Sequence, residues 1–232
     1  MTAPAYLAVV NPAAGGGVCG KRAPAVIARL RQSGLAVDVL ETSRAGEATG
    51  IVRDALARGD GTSYELVNGI MAAAPQGGER PSLGMLPLGT GNSFLRDFTD
   101  RGSEYAIEAL IAGKSRPCDV IRCTHAAGVL HFINIFSIGF VADVGATRNR
   151  RFSALGEFGY TLATVLGVAT LHPYVFPMRL DGQPEDREPS TFISFNNSRY
   201  TGGKMMMAPD ANTRDGLLDV IRVGRMGQID LL

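Results

Sequence analysis

Residues 5–10 form an unbroken apolar run closed by Asn11-Pro12. A short run without polar alternation predicts a strand buried on both faces of a parallel sheet. From Pro24 the apolar positions Val26, Ile27 and Leu30 recur at helical spacing as far as Ser33-Gly34, and residues 35–40 read as a second strand. Together they make one βαβ unit. Ala48, Ile51, Val52, Ala55 and Leu56 share one face of a helix over residues 46–58 that packs on the sheet. Residues 64–74 again read helical, 83–88 as a strand, the stretch near Phe94 as a brief helix and 105–112 as another helix. This alternation of strand and helix defines α/β architecture.

Beyond residue 114 the pattern changes. Residues 120–122, 130–138, 174–180, 191–196, 204–208 and 217–223 read as strands, 181–189 as a polar hairpin loop, and only 152–169 as a helix. The expected fold is an N-terminal parallel-sheet α/β domain, residues 1–115, followed by a β-rich, β-sandwich-like domain, residues 116–232, with the boundary near residues 114–117.

Composition narrows the function classes. The 232 residues carry 23 Lys+Arg against 22 Asp+Glu, a formal charge of +1, with 45% hydrophobic and 19% charged residues. Disorder and coiled coil are excluded, and the balanced charge argues against nucleic acid, whose binding rests on phosphate neutralisation. Three Cys close no disulfide framework and no signal peptide opens the chain, so a reduced cytoplasmic setting is expected. The most apolar stretch, residues 161–171, is broken by Gly167 and falls short of the ~18–20 residues of a spanning helix. Membrane contact is therefore expected to be peripheral, and a homo-oligomer is left open.

Three glycine-rich turns carry the chemistry: Asn11-Pro12-Ala13-Ala14-Gly15-Gly16-Gly17, Gly59-Asp60-Gly61-Thr62, and Pro87-Leu88-Gly89-Thr90-Gly91-Asn92. Glycine lets backbone N–H groups approach phosphate oxygens, and the helix that follows such a turn favours an anion at its N-terminus. Three such turns at expected sheet edges suggest a nucleotide cleft. Gly15, Gly17 and Gly20, with Glu41 ending the next strand, also fit a dinucleotide fingerprint, the basis of an alternative NAD-binding dehydrogenase reading. That reading leaves the other two turns unexplained. Gly15 to Lys21 starts like a Walker A loop, but Arg22 stands where a Ser/Thr hydroxyl holds Mg²⁺.

Taken in order, the turns resemble the diacylglycerol kinase catalytic family, which includes sphingosine, ceramide and bacterial lipid kinases. The matching residues are Asn11-Pro12 with its glycines, Gly59-Asp60-Gly61-Thr62 followed by Glu65, Val67, Asn68 and Gly69, and residues 87–94. Gly139-Phe140, Gly202-Gly203, Ala208-Pro209 and residues 215–220 match in the second half, so the resemblance spans nearly the whole chain. It implies ATP-dependent phosphorylation of a lipid hydroxyl at a membrane surface, with nucleotide between the domains, Mg²⁺ as cofactor and lipid in an apolar cleft.

Under that resemblance Asn11, Thr42, Gly61, Thr62, Glu65, Gly89, Thr90, Gly91 and Asn92 fall at nucleotide-contacting positions, and Asp60 is the catalytic carboxylate. A carboxylate beside phosphate turns either organises the metal or accepts the hydroxyl proton; both roles stay open. Glu65 also suits a first-turn acid favoured by the helix dipole. Asp119 matches a second acidic position of the family's metal network. Asp215 and Asp219, flanking Gly216-Leu217-Leu218, are hard oxygen ligands of the kind that hold Mg²⁺ or Ca²⁺. Met205, Met206 and Met207, with Phe158, Phe192 and Phe195, read as strand core or as an acyl-chain lining. His172 reads as a packed or surface residue, and Arg148, Arg150 and Arg151 as a solvated charge run or an anion contact.

The chain departs from the family in places. Arg58-Gly59 ends a helical pattern with no apolar strand delivering the Gly-Asp-Gly-Thr turn, Ser93 stands where an Asp is usual, and no C-terminal Asp-Gly-Glu follows. The second domain is accordingly expected to be incomplete at its C-terminus, and a catalytically impaired nucleotide- or lipid-binding remnant is the alternative function.

Overall fold

A computed structural model describes residues 5–43, 63–73, 81–88, 92–140, 173–201 and 204–227. The helices expected over 46–58 and 152–169 lie outside the described residues, as do Asp60, Gly61, Thr62, Gly89, Thr90, Gly91, Arg148, Arg150, Arg151, Phe158, His172 and Gly202-Gly203.

Strand β1, Ala5–Val10, pairs parallel with β2, Ala36–Glu41, in the register Ala5↔Ala36 to Val10↔Glu41. Helix α1, Val18–Gln32, crosses between them and buries Cys19, Ala23, Ile27 and Leu30, spaced by four, four and three residues so that they share one stripe. These side chains form an apolar core with Val10, Val37, Leu88 and Ile107. The helix starts well before Pro24, where the apolar period alone placed it. A proline there costs one i→i−4 bond, to the Gly20 carbonyl, which a helix packed on a sheet can carry.

Helix α2 spans Ser63–Ala73, a 3-10 turn Phe94–Asp97, and helix α3 Gly102–Ile111. The strand expected over 83–88 is instead irregular backbone. Among the described residues it pairs with no strand, and it runs flush against α3: a Cβ on Gly84 would sit 2.7 Å from Leu110 Cδ2.

The described part of the second half is β-structure. β3, Ile121–His125, and β4, Gly128–Phe132, form an antiparallel hairpin. β5, Ile135–Gly139, and β10, Asp219–Gly224, flank β7, Pro189–Asn196, both antiparallel, and β6, Tyr174–Val175, also pairs with β7. β8, Tyr200–Thr201, pairs with β9, Met205–Met206. The strand expected over 130–138 is thus broken in two. The break falls where Asn197 takes over the backbone: its N–H donates to the Asn134 carbonyl at 2.9 Å and its Nδ2 to the Ile133 carbonyl at 2.8 Å.

By its contacts the chain forms two compact units, Met1–Asn134 with Asn197–Leu217, and Ile135–Asn196 with Leu218–Leu232. In the second, β7 is buried along nearly its whole length although it is rich in Ser, Thr and Asn. Directional bonds make this tolerable. Thr191 Oγ donates to the Gly224 carbonyl, Ser194 Oγ to Asn196 Oδ1, and Asn196 Nδ2 to the carbonyls of Ser194 and Asp219.

Candidate functional site

The first glycine turn leaves β1 at its C-terminal end, the edge where open α/β sheets bind ligands. Asn11 shapes it: its Oδ1 accepts the Ala13 N–H at 3.1 Å and its carbonyl the Ala14 N–H at 3.0 Å. Gly15, Gly16 and Gly17 then take φ of 63°, 66° and 90°, a left-handed run that only glycine follows without strain. A Cβ on Gly16 or Gly17 would meet nothing within 4 Å, so it is backbone conformation and not crowding that requires glycine here. Gly20 is the opposite case: a Cβ would lie 3.1 Å from the Pro12 Cβ and carbonyl oxygen, so its bareness lets α1 close on the turn.

Thr42 joins this edge from β2. It is buried, and its N–H donates to the Val10 carbonyl at 2.9 Å, one step beyond the last paired residues of β1 and β2. Asn11 and Thr42, far apart in sequence, therefore flank one strand end. In front of it lies the N-terminus of α1, with no acidic residue in its first turn to compete with an anion. Cys19, in that turn, has its thiol pKa pushed up by burial, which outweighs the opposing hydrogen bond from the Asn11 backbone. The third turn is approached through Leu88, buried in the same core as Val10, and left through Asn92, whose φ of 44° is left-handed. Ser93 is buried.

Glu65 sits, half-buried, in the first turn of α2. One turn further on, Asn68 does something its place in a motif did not reveal. Its Oδ1 accepts the His131 N–H at 2.7 Å and its Nδ2 donates to the His131 carbonyl at 2.7 Å and to the Tyr64 carbonyl at 2.8 Å. One amide thus satisfies both backbone groups of a β4 residue and pins α2 to the hairpin.

Among the acids assigned to a metal, Asp119 is stapled to the loop before β10. Its N–H donates to the Thr213 carbonyl at 2.7 Å, its carbonyl accepts Asn197 Nδ2 at 3.0 Å, and its Oδ2 accepts the Gly216 N–H at 2.8 Å. Asp215 Oδ1 accepts the Leu217 N–H at 3.0 Å. Asp219 begins β10, its carbonyl accepting Asn196 Nδ2. Among the described residues no group of three or more His, Cys, Asp or Glu is arranged to hold a metal ion. The neighbouring Cys118 thiol has its pKa raised, first by burial and then by the Asp119 charge.

Met205 and Met206 are about half exposed and do not form the core of their strand; among the described residues two-residue β9 pairs only with β8. Sequence reasoning also missed Asp97 and Arg199. Arg199 donates from both its backbone N–H, at 3.1 Å, and its Nε, at 3.0 Å, to Asp97 Oδ1. With 101 residues between them, no local spacing signals the pair.

Comparison with known proteins finds family matches over most of the chain. The model of the diacylglycerol kinase catalytic domain covers residues 5–123, and that of the YegS C-terminal NAD kinase beta sandwich-like domain covers residues 134–232. A diacylglycerol kinase of Mycobacterium tuberculosis (strain CDC 1551 / Oshkosh) is 30% identical over 219 residues, covering 92% of this chain and 71% of that protein. Sphingosine kinase 2 of Homo sapiens is 28% identical over 230 residues, covering 89% of this chain and 35% of that protein. Among solved structures, that of a putative diacylglycerol kinase from Bacillus anthracis str. Sterne superimposes with a TM-score of 0.73 at 25% identity, covering 97% of this chain and 77% of the other. The fold is thus an α/β catalytic domain followed by a β-sandwich-like domain. The chain belongs to the diacylglycerol kinase catalytic-domain family, a family of lipid kinases.

Proposed function

We propose that this chain is an ATP-dependent lipid kinase that transfers the γ-phosphoryl group to a hydroxyl of diacylglycerol or a related lipid. The observation that carries the reading is the C-terminal edge of β1 and β2, where Asn11 and Thr42 meet before a helix entered through three left-handed glycines. Family membership supplies the reaction class and favours a kinase over the dehydrogenase alternative. In this reading residues 1–115 bind nucleotide and residues 116–232 bind lipid.

ATP, when bound, supplies the phosphoryl group. The protein's part in such a transfer is positioning and charge stabilisation. The Gly15 and Gly16 N–H groups, which donate to no backbone carbonyl among the described residues, fit phosphate oxygens, and the positive end of α1 adds to their field. Asn11 holds the turn in shape, with Thr42, Gly61, Thr62, Glu65, Gly89, Thr90, Gly91 and Asn92 completing the nucleotide contacts. Asp60 is the carboxylate of the reacting centre. As the lipid oxygen bonds to the γ-phosphorus, the bond to the departing diphosphate oxygen breaks and the hydroxyl proton leaves to a base. Asp119, Asp215 and Asp219 are the acids assigned to Mg²⁺. The first two already accept backbone N–H groups, a poor fit to a ready-made cation site.

Among the described residues no helix is long and apolar enough to cross a membrane. We place the protein in the cytoplasm, meeting its substrate at a membrane surface. The test is incubation of the intact chain with γ-labelled ATP and mixed lipid micelles containing diacylglycerol or sphingosine. Label in an organic-extractable phosphate ester, abolished in Asp60→Ala, is expected. Saturable ATP binding without labelled lipid would establish the impaired remnant instead. NAD raising the Tm where ATP does not would revive the dehydrogenase.

A further inference from the structure

A cavity of about 450 Å³ opens within the first compact unit, between the 3-10 turn Phe94–Asp97, Arg116, Arg199 and the loop over residues 209–214. Three arginines, Arg116, Arg199 and Arg214, line it together with two aspartates, Asp97 and Asp210. The Asp97 side chain is only 4% exposed, and both bonds to its Oδ1 come from Arg199. Its charge is thereby spent on orienting Arg199, whose two Nη groups make no hydrogen bond among the described residues. Arg116 is held differently: its guanidinium lies 4.0 Å over the Phe98 ring, with one Nη2 contact to the Asp97 carbonyl at 3.4 Å. Arg214 is exposed and its guanidinium has no partner among the described residues.

Two of the three guanidiniums are fixed from behind, one by a buried carboxylate and one by an aromatic face, and keep donors for the cavity. Guanidinium forks held this way match the oxygens of a tetrahedral anion, and pre-set side chains lower the entropy lost on binding. Asp97 Oδ2 is buried with no donor among the described residues, so it takes no part in contacting an anion in the cavity and the guanidiniums carry the recognition. A phosphate monoester presents three oxygens to such forks at once.

We propose that this cavity is a binding site for a phosphate monoester group. The inference is independent of the kinase reading, since none of these residues belongs to the nucleotide or transfer machinery described above.

Inorganic phosphate titrated into the full chain by calorimetry tests it. The expected result is saturable binding, roughly tenfold weaker in Arg116→Ala/Arg214→Ala, as for loss of charge-assisted bonds. Arg101→Ala, which removes a surface guanidinium elsewhere, leaves it unchanged. Both replaced arginines are exposed, and circular dichroism verifies that the variants fold; Arg214→Ala alone is the milder variant, with the same direction of change expected. Flotation with phosphatidylcholine vesicles, with and without phosphatidate, separates the sources. Arginine-dependent binding to phosphatidate as well as to phosphate assigns a lipid headgroup, and binding to phosphate alone assigns a soluble ester. Equal phosphate binding in the double variant, or no saturable phosphate binding, overturns the proposal. Transfer activity, measured separately, stands or falls on the nucleotide edge.

Discussion

The core around α1 and the core around β7 are both closed to water, yet they are built from opposite materials. The first is apolar: Val10, Ala23, Ile27, Leu30, Val37, Leu88 and Ile107, held by burial and close packing. The second buries Ser190, Thr191, Ser194 and Asn196 at 0–1% exposure, held by side-chain hydrogen bonds. Apolar packing is non-directional and accepts any side chain of similar volume. A buried polar strand accepts only groups that meet the same donors and acceptors.

The largest test substitutes one residue in each. Leu30→Ala and Asn196→Ala are each expected to cost about 3 kcal/mol in urea unfolding, the first by cavity formation and the second by stranding buried polar partners. Rescue then separates them. Leu30→Met returns to within about 1.5 kcal/mol of the native chain, whereas Asn196→Leu does no better than the alanine. A stable Asn196→Leu protein would break the contrast.

Asn68 brings the directional principle into the first unit. Asn68→Ala leaves both backbone groups of His131 without their side-chain partner and is expected to cost about 2 kcal/mol. Faster hydrogen exchange at the His131 amide checks it; unchanged protection there argues against the clamp.

A smaller effect sharpens the glycine turn. Gly17→Ala meets no atom within 4 Å but must hold φ near 90°, so it costs about 1–2 kcal/mol through conformation alone. ATP affinity is expected to fall with it, measured by calorimetry. Gly20→Ala meets Pro12 instead and lowers stability by crowding, so the two variants differ in origin although they lie three residues apart.

The smallest effect is in pH. The thiols of Cys19 and Cys118 titrate above the ordinary thiol value in the folded chain, both chiefly through burial. A raised folded-state pKa gives stability that is complete below the unfolded value and is lost as the pH rises through the folded one. Stability therefore declines on the alkaline side, and Cys118→Ser flattens that decline in urea midpoints measured across it. Both native thiols also alkylate more slowly than a free cysteine peptide at the same pH.

What was legible follows from how local each determinant is. The apolar run 5–10 became β1 with the expected bounds, because six consecutive apolar residues favour a strand, but the expected burial on both faces did not follow: Val10 is buried, Tyr6, Ala8 and Val9 are half-buried and Leu7 is exposed. Residues 83–88 have a similar run and form no strand. A ladder requires a neighbouring edge, which a segment's own pattern does not reveal, and among the described residues no strand pairs with this run. The split at Ile133-Asn134 was equally hidden, since its cause, Asn197, lies more than sixty residues on. Of the candidate site, Asn11 and the first glycines were readable as turn chemistry, while the pairing of Asp97 with Arg199 was not.

The sequence alone determined the apolar periods, the glycines that permit left-handed backbone, and the ordered motifs from which the kinase family was recognised. These depend on neighbouring residues, so they survive in one dimension. Tertiary structure decided which polar groups meet: Thr42 beside Val10, Asn68 astride His131, Asp119 on Gly216, Arg199 on a buried carboxylate. A hydrogen bond depends on distances of tenths of an ångström between remote segments, and such distances exist only once the chain has folded.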